Sequence, residues 1–392
     1  MTPPPRTAEV TNPLRVIAFY LPQFHPIPEN DAWWGSGFTE WTMVAAARPL
    51  FRGHEQPHLP ADLGFYDLRV PEVREAQAEL ARTHGLAGFC YYHYWFSGTR
   101  LLHRPFDEVL RLKTPDLPFC LCWANENWTR AWNGGDHDIL MAQTYSRDDD
   151  VAHIEHVFPA FEDDRYIKIG GKPLFLVYRS EMVPDAARTA ELWRRRAREA
   201  GVGELYLARV EGFRSDLDPR TIGFDAAVEF APAWRLMPTA RGTALPSIAR
   251  RLRHIGRPRG VRPVPDVYPY RRLVDVMLAA PPPRYPRFRC VTPSWDNSPR
   301  RGPRATIFHG STPAQYEAWL TTVAAESLAT RSGDERIVFI NAWNEWGEGS
   351  HLEPDQRWGR AYLHATRRAI EVASRQSRAT GPPPAAPPSP PR

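Results

Sequence analysis

Eight short apolar runs, separated by stretches with helical spacing, constrain this 392-residue chain more than any other feature. They span Val16 to Leu21, Leu86 to Tyr92, Phe119 to Trp123, Leu174 to Tyr178, Leu205 to Val210, Ala226 to Phe230, Phe288 to Thr292 and Ile337 to Ile340. Short unbroken apolar runs that alternate with helices mark strands buried on both faces of a parallel sheet. Helices fit between them. Val70 to His84 repeats apolar residues at Val70, Val73, Leu80 and Ala81 and stops at Gly85, a candidate C-terminal glycine. Another begins at Thr312, with Pro313 at the first helical position and Gln315 completing a capping box. Residues 187–200 and 360–374 carry apolar and basic residues at helical spacing. Eight such units predict a single α/β domain, a (β/α)8 TIM-type barrel over residues 14–376. An open doubly wound sheet would want a glycine-rich phosphate turn after its first strand, and no GxGxxG occurs.

Barrels of this kind build their active sites at the C-terminal ends of the strands. There the runs turn aromatic and polar. The first leads into Tyr20 and His25, the second into Tyr92, His93 and Trp95, and the third into Trp123, Asn125, Glu126 and Trp128. The fourth gives Tyr178, the sixth Glu229, the seventh Trp295 and Asp296, and the last Trp343, Asn344 and Trp346. Glu40 and Trp41 read as part of the cleft rim. All but Glu40 are predicted substrate-binding residues, because flat rings suit the faces of sugars and amides or carboxylates hold hydroxyls. His25 and His93 read equally well as structural histidines, and Glu353 as an anchor for its loop.

Glu345 and Glu348 follow the last run at once and stand three residues apart. A helical turn there would put both carboxylates on one face. Paired carboxylates at that range are the predicted catalytic residues, one acting as base and one as acid on a glycosidic bond. The competing reading is a solvated loop with core tryptophans. Two Trp, two Asn and three Glu directly beyond a buried strand argue against it.

Composition narrows the rest. The chain has 14 Trp and 14 Tyr, more than a core needs. Cys90, Cys120, Cys122 and Cys290 lie in strand-like runs without metal spacing and read as reduced core residues. No HxH pair occurs, and neither a metal nor a cofactor is expected. Residues 235–272, between the sixth and seventh runs, carry ten arginines and Asp266 as the one acidic residue. A solvated basic loop is the plain reading. The sharper one is a guanidinium patch for the diphosphate of a lipid-linked or nucleotide-linked sugar, or for an anionic membrane surface. Nucleic acid is not expected, since the stretch lacks interleaved aromatics. Residues 1–13 and the Pro/Ala-rich 377–392 read as disordered ends. Neither a secretory h-region nor an apolar run of ~18 residues occurs, so the expected location is cytoplasmic, with peripheral contact at the inner membrane through the Arg-rich insert.

The pieces AFYLPQFHPIPEND, WWGSGFTEW, GFCYYHYWF, FCLCWANENWTRAW and INAWNEWGEGSHLEPD resemble the WbsX-type proteins of bacterial polysaccharide gene clusters. Those proteins are similar to glycoside hydrolase family 99, the endo-α-mannosidase family, and the resemblance covers residues 14–375. It implies a (β/α)8 barrel that acts on an α-linked oligosaccharide or lipid-linked glycan with retention, in surface polysaccharide or O-antigen metabolism. It further implies that Glu345 removes the proton of the substrate's 2-hydroxyl, through an anhydro-sugar-like intermediate. Glu348 would protonate the leaving oxygen and then activate the acceptor. Hydrolases of that family often carry a larger residue where Gly347 stands, which leaves water or a second sugar open as acceptor. A nucleotide-sugar-dependent glycosyltransferase and a non-catalytic glycan-binding scaffold are the alternative functions.

Overall fold

The computed structural model describes residues 14–130, 135–213, 217–236 and 264–380. Eight strands form one closed, all-parallel sheet: β1 (Arg15–Tyr20), β2 (Gly88–Phe96), β3 (Phe119–Trp123), β4 (Lys172–Val177), β5 (Tyr206–Glu211), β6 (Ala226–Glu229), β7 (Arg287–Val291) and β8 (Ile337–Ile340). Each of the eight apolar runs is one of these strands. The barrel closes where β1 pairs with β8 on one side, Ile17 opposite Phe339, and with β2 on the other, Phe19 opposite Cys90.

Seven α-helices follow strands in turn: α1 (Pro71–Thr83), α2 (Arg104–Leu112), α3 (Arg147–Phe161), α4 (Ala186–Glu199), α5 (Tyr270–Ala279), α6 (Pro313–Thr330) and α7 (Ala361–Thr380). After β5 the described chain makes only a short 3₁₀ turn, Pro219–Ile222, before β6. Gly85, two residues beyond α1, has φ +86°, the left-handed conformation that ends helices. At the start of α6 the Thr312 hydroxyl accepts from the Gln315 N–H at 3.3 Å. The reciprocal half of the expected capping box is missing, because the buried Gln315 Oε1 has no hydrogen-bond partner. The expected disordered tail from 377 is helical over its first four residues. Residues 377–380 complete α7, since no proline interrupts the chain before 382; residues 381–392, like 1–13, lie outside the described residues. Most of the Arg-rich stretch, 237–263, is likewise outside them, so the basic-patch expectation has no structural counterpart here.

Strand alternation divides the side chains into two cores. Inside the barrel, Phe19 packs on Tyr92 and Phe339 with ring centroids 5.5 Å apart in each case, and on Phe230 at 6.1 Å. Outside, between strands and helices, Tyr91 meets Phe106 of α2 and Trp123 meets Trp193 of α4. All four cysteines are free thiols and buried.

Candidate active site

The site is built where β8 ends. Asn344–Glu345 pairs antiparallel with Ser350–His351, and the link between them, Trp346–Glu348, is a 3₁₀ turn. In a 3₁₀ turn positions i and i+3 eclipse, so Glu345 and Glu348 emerge on one side, as the spacing predicts. Asn344 fixes this turn to β1: its Oδ1 accepts from Leu21 N–H at 2.8 Å and its Nδ2 donates to Leu21 C=O at 3.0 Å. Trp346 stacks on His351 at 3.7 Å between centroids and donates its indole N–H to Glu353 at 2.6 Å. Glu353 also accepts from the Tyr66 hydroxyl and the Gln77 amide, so it anchors the loop from beneath.

Both carboxylates reach a cavity of about 280 Å³ at the C-terminal end of the barrel, walled by Tyr92, Tyr94, Glu126, Trp128, Tyr178 and Phe230. A second cavity of about 630 Å³ adjoins it, adding Arg179, Phe213, Trp234 and Trp295. Glu348 and Arg300 line both; Glu345 lines only the first.

Arg300 organises the charges. It sits on the short helix Ser298–Arg301 in the β7 loop, and its Nη2 pairs with Glu345 and, at 2.6 Å, with Glu40. Its Nη1 pairs with Glu348 at 2.9 Å, and its Nε donates to Glu40 at 2.7 Å. Three carboxylates thus share one guanidinium, which cannot neutralise them all. Burial pushes the Glu345 carboxyl up to about 8 against the pull of Arg300, with Glu348 and Glu40 adding to the rise. Burial raises Glu348 and Glu40 as well. Glu348 is the more open of the pair, with 24% of its side chain exposed against 7% for Glu345.

Of the sequence-predicted site residues, the structure brings Tyr92, Glu126, Trp128, Tyr178, Glu345 and Glu348 together in the first cavity and Trp295 into the second. Glu126 is paired with Arg179 there. The others lie elsewhere. Tyr20, His93, Trp95 and Trp123 fall on the helix-facing side of their strands: the Tyr20 hydroxyl donates to Gln77 of α1, and His93 meets His153 of α3 at 3.1 Å. Trp95 donates to Asp149 at 2.9 Å. Asn125 is a backbone brace, accepting from Arg179 N–H at 2.8 Å and donating to its C=O at 2.9 Å. Glu229 is buried in an ion-pair ladder with Arg287 and Arg289, whose guanidinium also reaches Glu326 of α6. Asp296 is held by His54 and Gln56, each at 2.7 Å, in a small cavity of about 50 Å³ away from the glutamate pair. Trp41, Trp343, Asn344 and Trp346 are buried supports for the Glu345–Glu348 turn, and His25 is buried outside both cavities.

The predicted site residues omit Arg300, Tyr94 and Phe230, and Glu40, expected at the rim, is fully buried. Strand alternation is the signal for Tyr94, since it shares a face with Tyr92. Arg300 had no such signal: in SPRRGPR it reads as one of several solvated arginines.

Among the described residues no group of His, Cys, Asp and Glu side chains is arranged to hold a metal ion, and no helix is long and apolar enough to cross a membrane.

A (β/α)8 barrel with paired, buried carboxylates in an aromatic-walled cavity at its C-terminal face is the architecture of a carbohydrate-active enzyme. The family model described as Glycosyltransferase WbsX matches residues 16–366, and the chain belongs to that family. A curated relative, "Uncharacterized protein WxcX" of Xanthomonas campestris pv. campestris, is 48% identical over 365 residues, 93% of this chain and 50% of the relative. The chain therefore spans about half the length of the curated relatives it matches. Among solved structures it is similar to a "Glycoside hydrolase-like protein", with TM-score 0.58 and 15% identity over 92% of this chain and 95% of the other. The GH99 endo-alpha-mannosidase from Bacteroides thetaiotaomicron superposes with TM-score 0.53 and 16% identity, covering 93% of this chain and 98% of that one. At such identities these structures share the barrel fold.

Proposed function

We propose that this chain makes or breaks an α-glycosidic bond with retention, acting on an oligosaccharide or lipid-linked glycan of bacterial surface polysaccharide or O-antigen metabolism. The observation that carries the reading is the single guanidinium of Arg300 holding both Glu345 and Glu348 at one cavity wall. Carboxylates held on neighbouring nitrogens of one guanidinium stand close together, which favours the short separation of a retaining enzyme over the wider one that admits an inverting enzyme's water. In this reading Glu345 takes the proton of the substrate's 2-hydroxyl, whose oxygen closes on the anomeric carbon as the glycosidic C–O bond breaks. Glu348 gives its proton to the leaving oxygen. An acceptor hydroxyl, deprotonated by Glu348, then opens the anhydro ring, and the ring oxygen regains its proton from Glu345. Glu348 borders both cavities, as a group acting on the oxygen between two sugars must. Water and a sugar enter this scheme alike, and the WbsX family description favours transfer. The reaction would take place in the cytoplasm, at or near the inner membrane, where lipid-linked precursors are assembled.

The test is mass spectrometry of the host's own polysaccharide and its lipid-linked precursors after incubation with wild type, Glu345→Gln and Glu348→Gln. Shortened products that vanish in both variants establish a hydrolase; extended products that vanish in both establish a transferase. Identical behaviour of wild type and variants sinks the reading and favours a glycan-binding scaffold.

The shared guanidinium also predicts a pH profile. One carboxyl of the pair must be ionised and the other protonated, so kcat/KM is bell-shaped and its limits belong to the pair. Both carboxyls titrate above the usual carboxylate range, so activity is expected to fall on acidification well before pH reaches the ordinary glutamate value. Glu345 must be ionised to act as the base, so the acidic limb is expected near pH 8, where Glu345 titrates, and the alkaline limb belongs to Glu348, whose carboxyl burial also raises. A profile flat down to about pH 4.5, the ordinary range for Glu, would contradict the charge balance described here.

A further inference from the structure

Glu40 lies at the start of the short helix Glu40–Ala46 in the first barrel loop and is fully buried. Its Oε1 takes two bonds from Arg300, from Nε at 2.7 Å and Nη2 at 2.6 Å, on the side of the guanidinium away from Glu348. Its Oε2 is buried without a hydrogen-bond partner. A carboxylate with one satisfied and one orphaned oxygen is costly to bury for packing alone. Gly347, between the two catalytic candidates, explains how it fits. A Cβ on Gly347 would stand 1.8 Å from Glu40 Oε1 and 2.7 Å from Arg300 Nε, on top of their hydrogen bond. The absence of a side chain at 347 is therefore what admits Glu40 to the site.

We propose that Glu40 is a positioning residue that holds Arg300 from behind and, by competing for its charge, sets how Glu345 and Glu348 share protons. That these two glutamates use those protons in catalysis rests on the function proposed above; the contact among Glu40, Arg300 and Gly347 does not. The other groups facing this cluster are few. Arg301 and the buried Tyr178 hydroxyl act on Glu348, and the buried hydroxyls of Tyr92 and Tyr94 face Glu345, with Tyr94 also near Glu40 and Arg300. Among these partners Glu40 is the one carboxylate outside both cavities, so its charge acts on the pair without touching substrate.

The experiment is a titration of ¹³C-labelled glutamate carboxyls by NMR in the full chain, with the Glu345 and Glu348 signals assigned by their loss in E345Q and E348Q. Glu40→Gln keeps the shape and removes the charge, leaving Arg300 to act on the remaining two. The Glu345 midpoint is expected to fall by about one pH unit, a tenfold change in proton affinity. If E40Q does not fold, E40D, with its charge withdrawn by one methylene, is read the same way and is expected to give a smaller fall.

The steric half has its own arm. Gly347→Ala is expected to lower Tm by several degrees when Glu40 is present and by clearly less in an E40A background, where only the contact with Arg300 remains, a coupling that independent sites lack. Unmoved midpoints in a folded E40Q or E40D, or a G347A cost that is the same with and without Glu40, overturn the proposal. A shifted midpoint in a protein with no glycan activity overturns the catalytic reading and leaves the positioning role standing.

Discussion

Arg300→Met is expected to destabilise the fold by about 3–5 kcal/mol at neutral pH, the cost of removing one partner from a buried charge cluster. The variant leaves Glu40, Glu345 and Glu348 facing one another with no cation among the groups that Arg300 now bridges. The effect should depend on pH in a definite direction. Glutamates whose folded-state values lie above their unfolded values bind extra protons in the fold, so stability falls as pH rises from the unfolded value through the folded one. Glu345 already titrates up to about 8, and without Arg300 that window widens upward. The loss measured by urea unfolding should therefore be larger at pH 8 than at pH 5. An equal loss at both values would mean that the side chain's packing matters and its charge does not.

The second large effect separates the two glutamates. Glu348→Gln is expected to lower kcat on a glycan substrate by about 10²–10⁴-fold, the usual contribution of a general acid. On a glycosyl fluoride of the same sugar the first step should be nearly normal, because fluoride leaves without a proton. Glu345→Gln, which removes the base, is expected to lose a similar factor on both substrates. Rates of fluoride release by the two variants, followed with an ion-selective electrode, decide the matter. If E348Q fails equally on both substrates, Glu348 is not the acid and the assignment of roles is wrong.

The barrel could be read from the chain because strands buried on both faces leave unbroken apolar runs, and all eight were in place. The glutamate pair at the cavity could be picked out because two glutamates three residues apart directly beyond such a run stand together at the strand's C-terminal end. The walls of the site were harder. Aromatic residues at strand ends are equally good wedges between strand and helix, and Tyr20, His93, Trp95 and Trp123 serve in that layer. Applying the two-residue period from Tyr92 onward would have assigned Tyr94 inward and His93 and Trp95 outward. Asn125 and Asn344 look like sugar ligands in sequence, yet both are spent on backbone groups of neighbouring loops. Arg300 was out of reach, since it meets Glu40 from 260 positions away and only the closed barrel brings them together.

The seam between β1 and β8 ties this architecture to the order in which the chain becomes competent. Leu21 and Asn344, bonded across that seam, are 323 positions apart, and the two catalytic candidates follow Asn344 directly. Contacts of such long range form late, after most of the chain has collapsed, because a large loop must be closed before they repay it. A ribosome-bound chain that ends before β8 holds most of the cavity walls but neither Glu345 nor Glu348. Closure of the ring and completion of the glutamate pair are then one event.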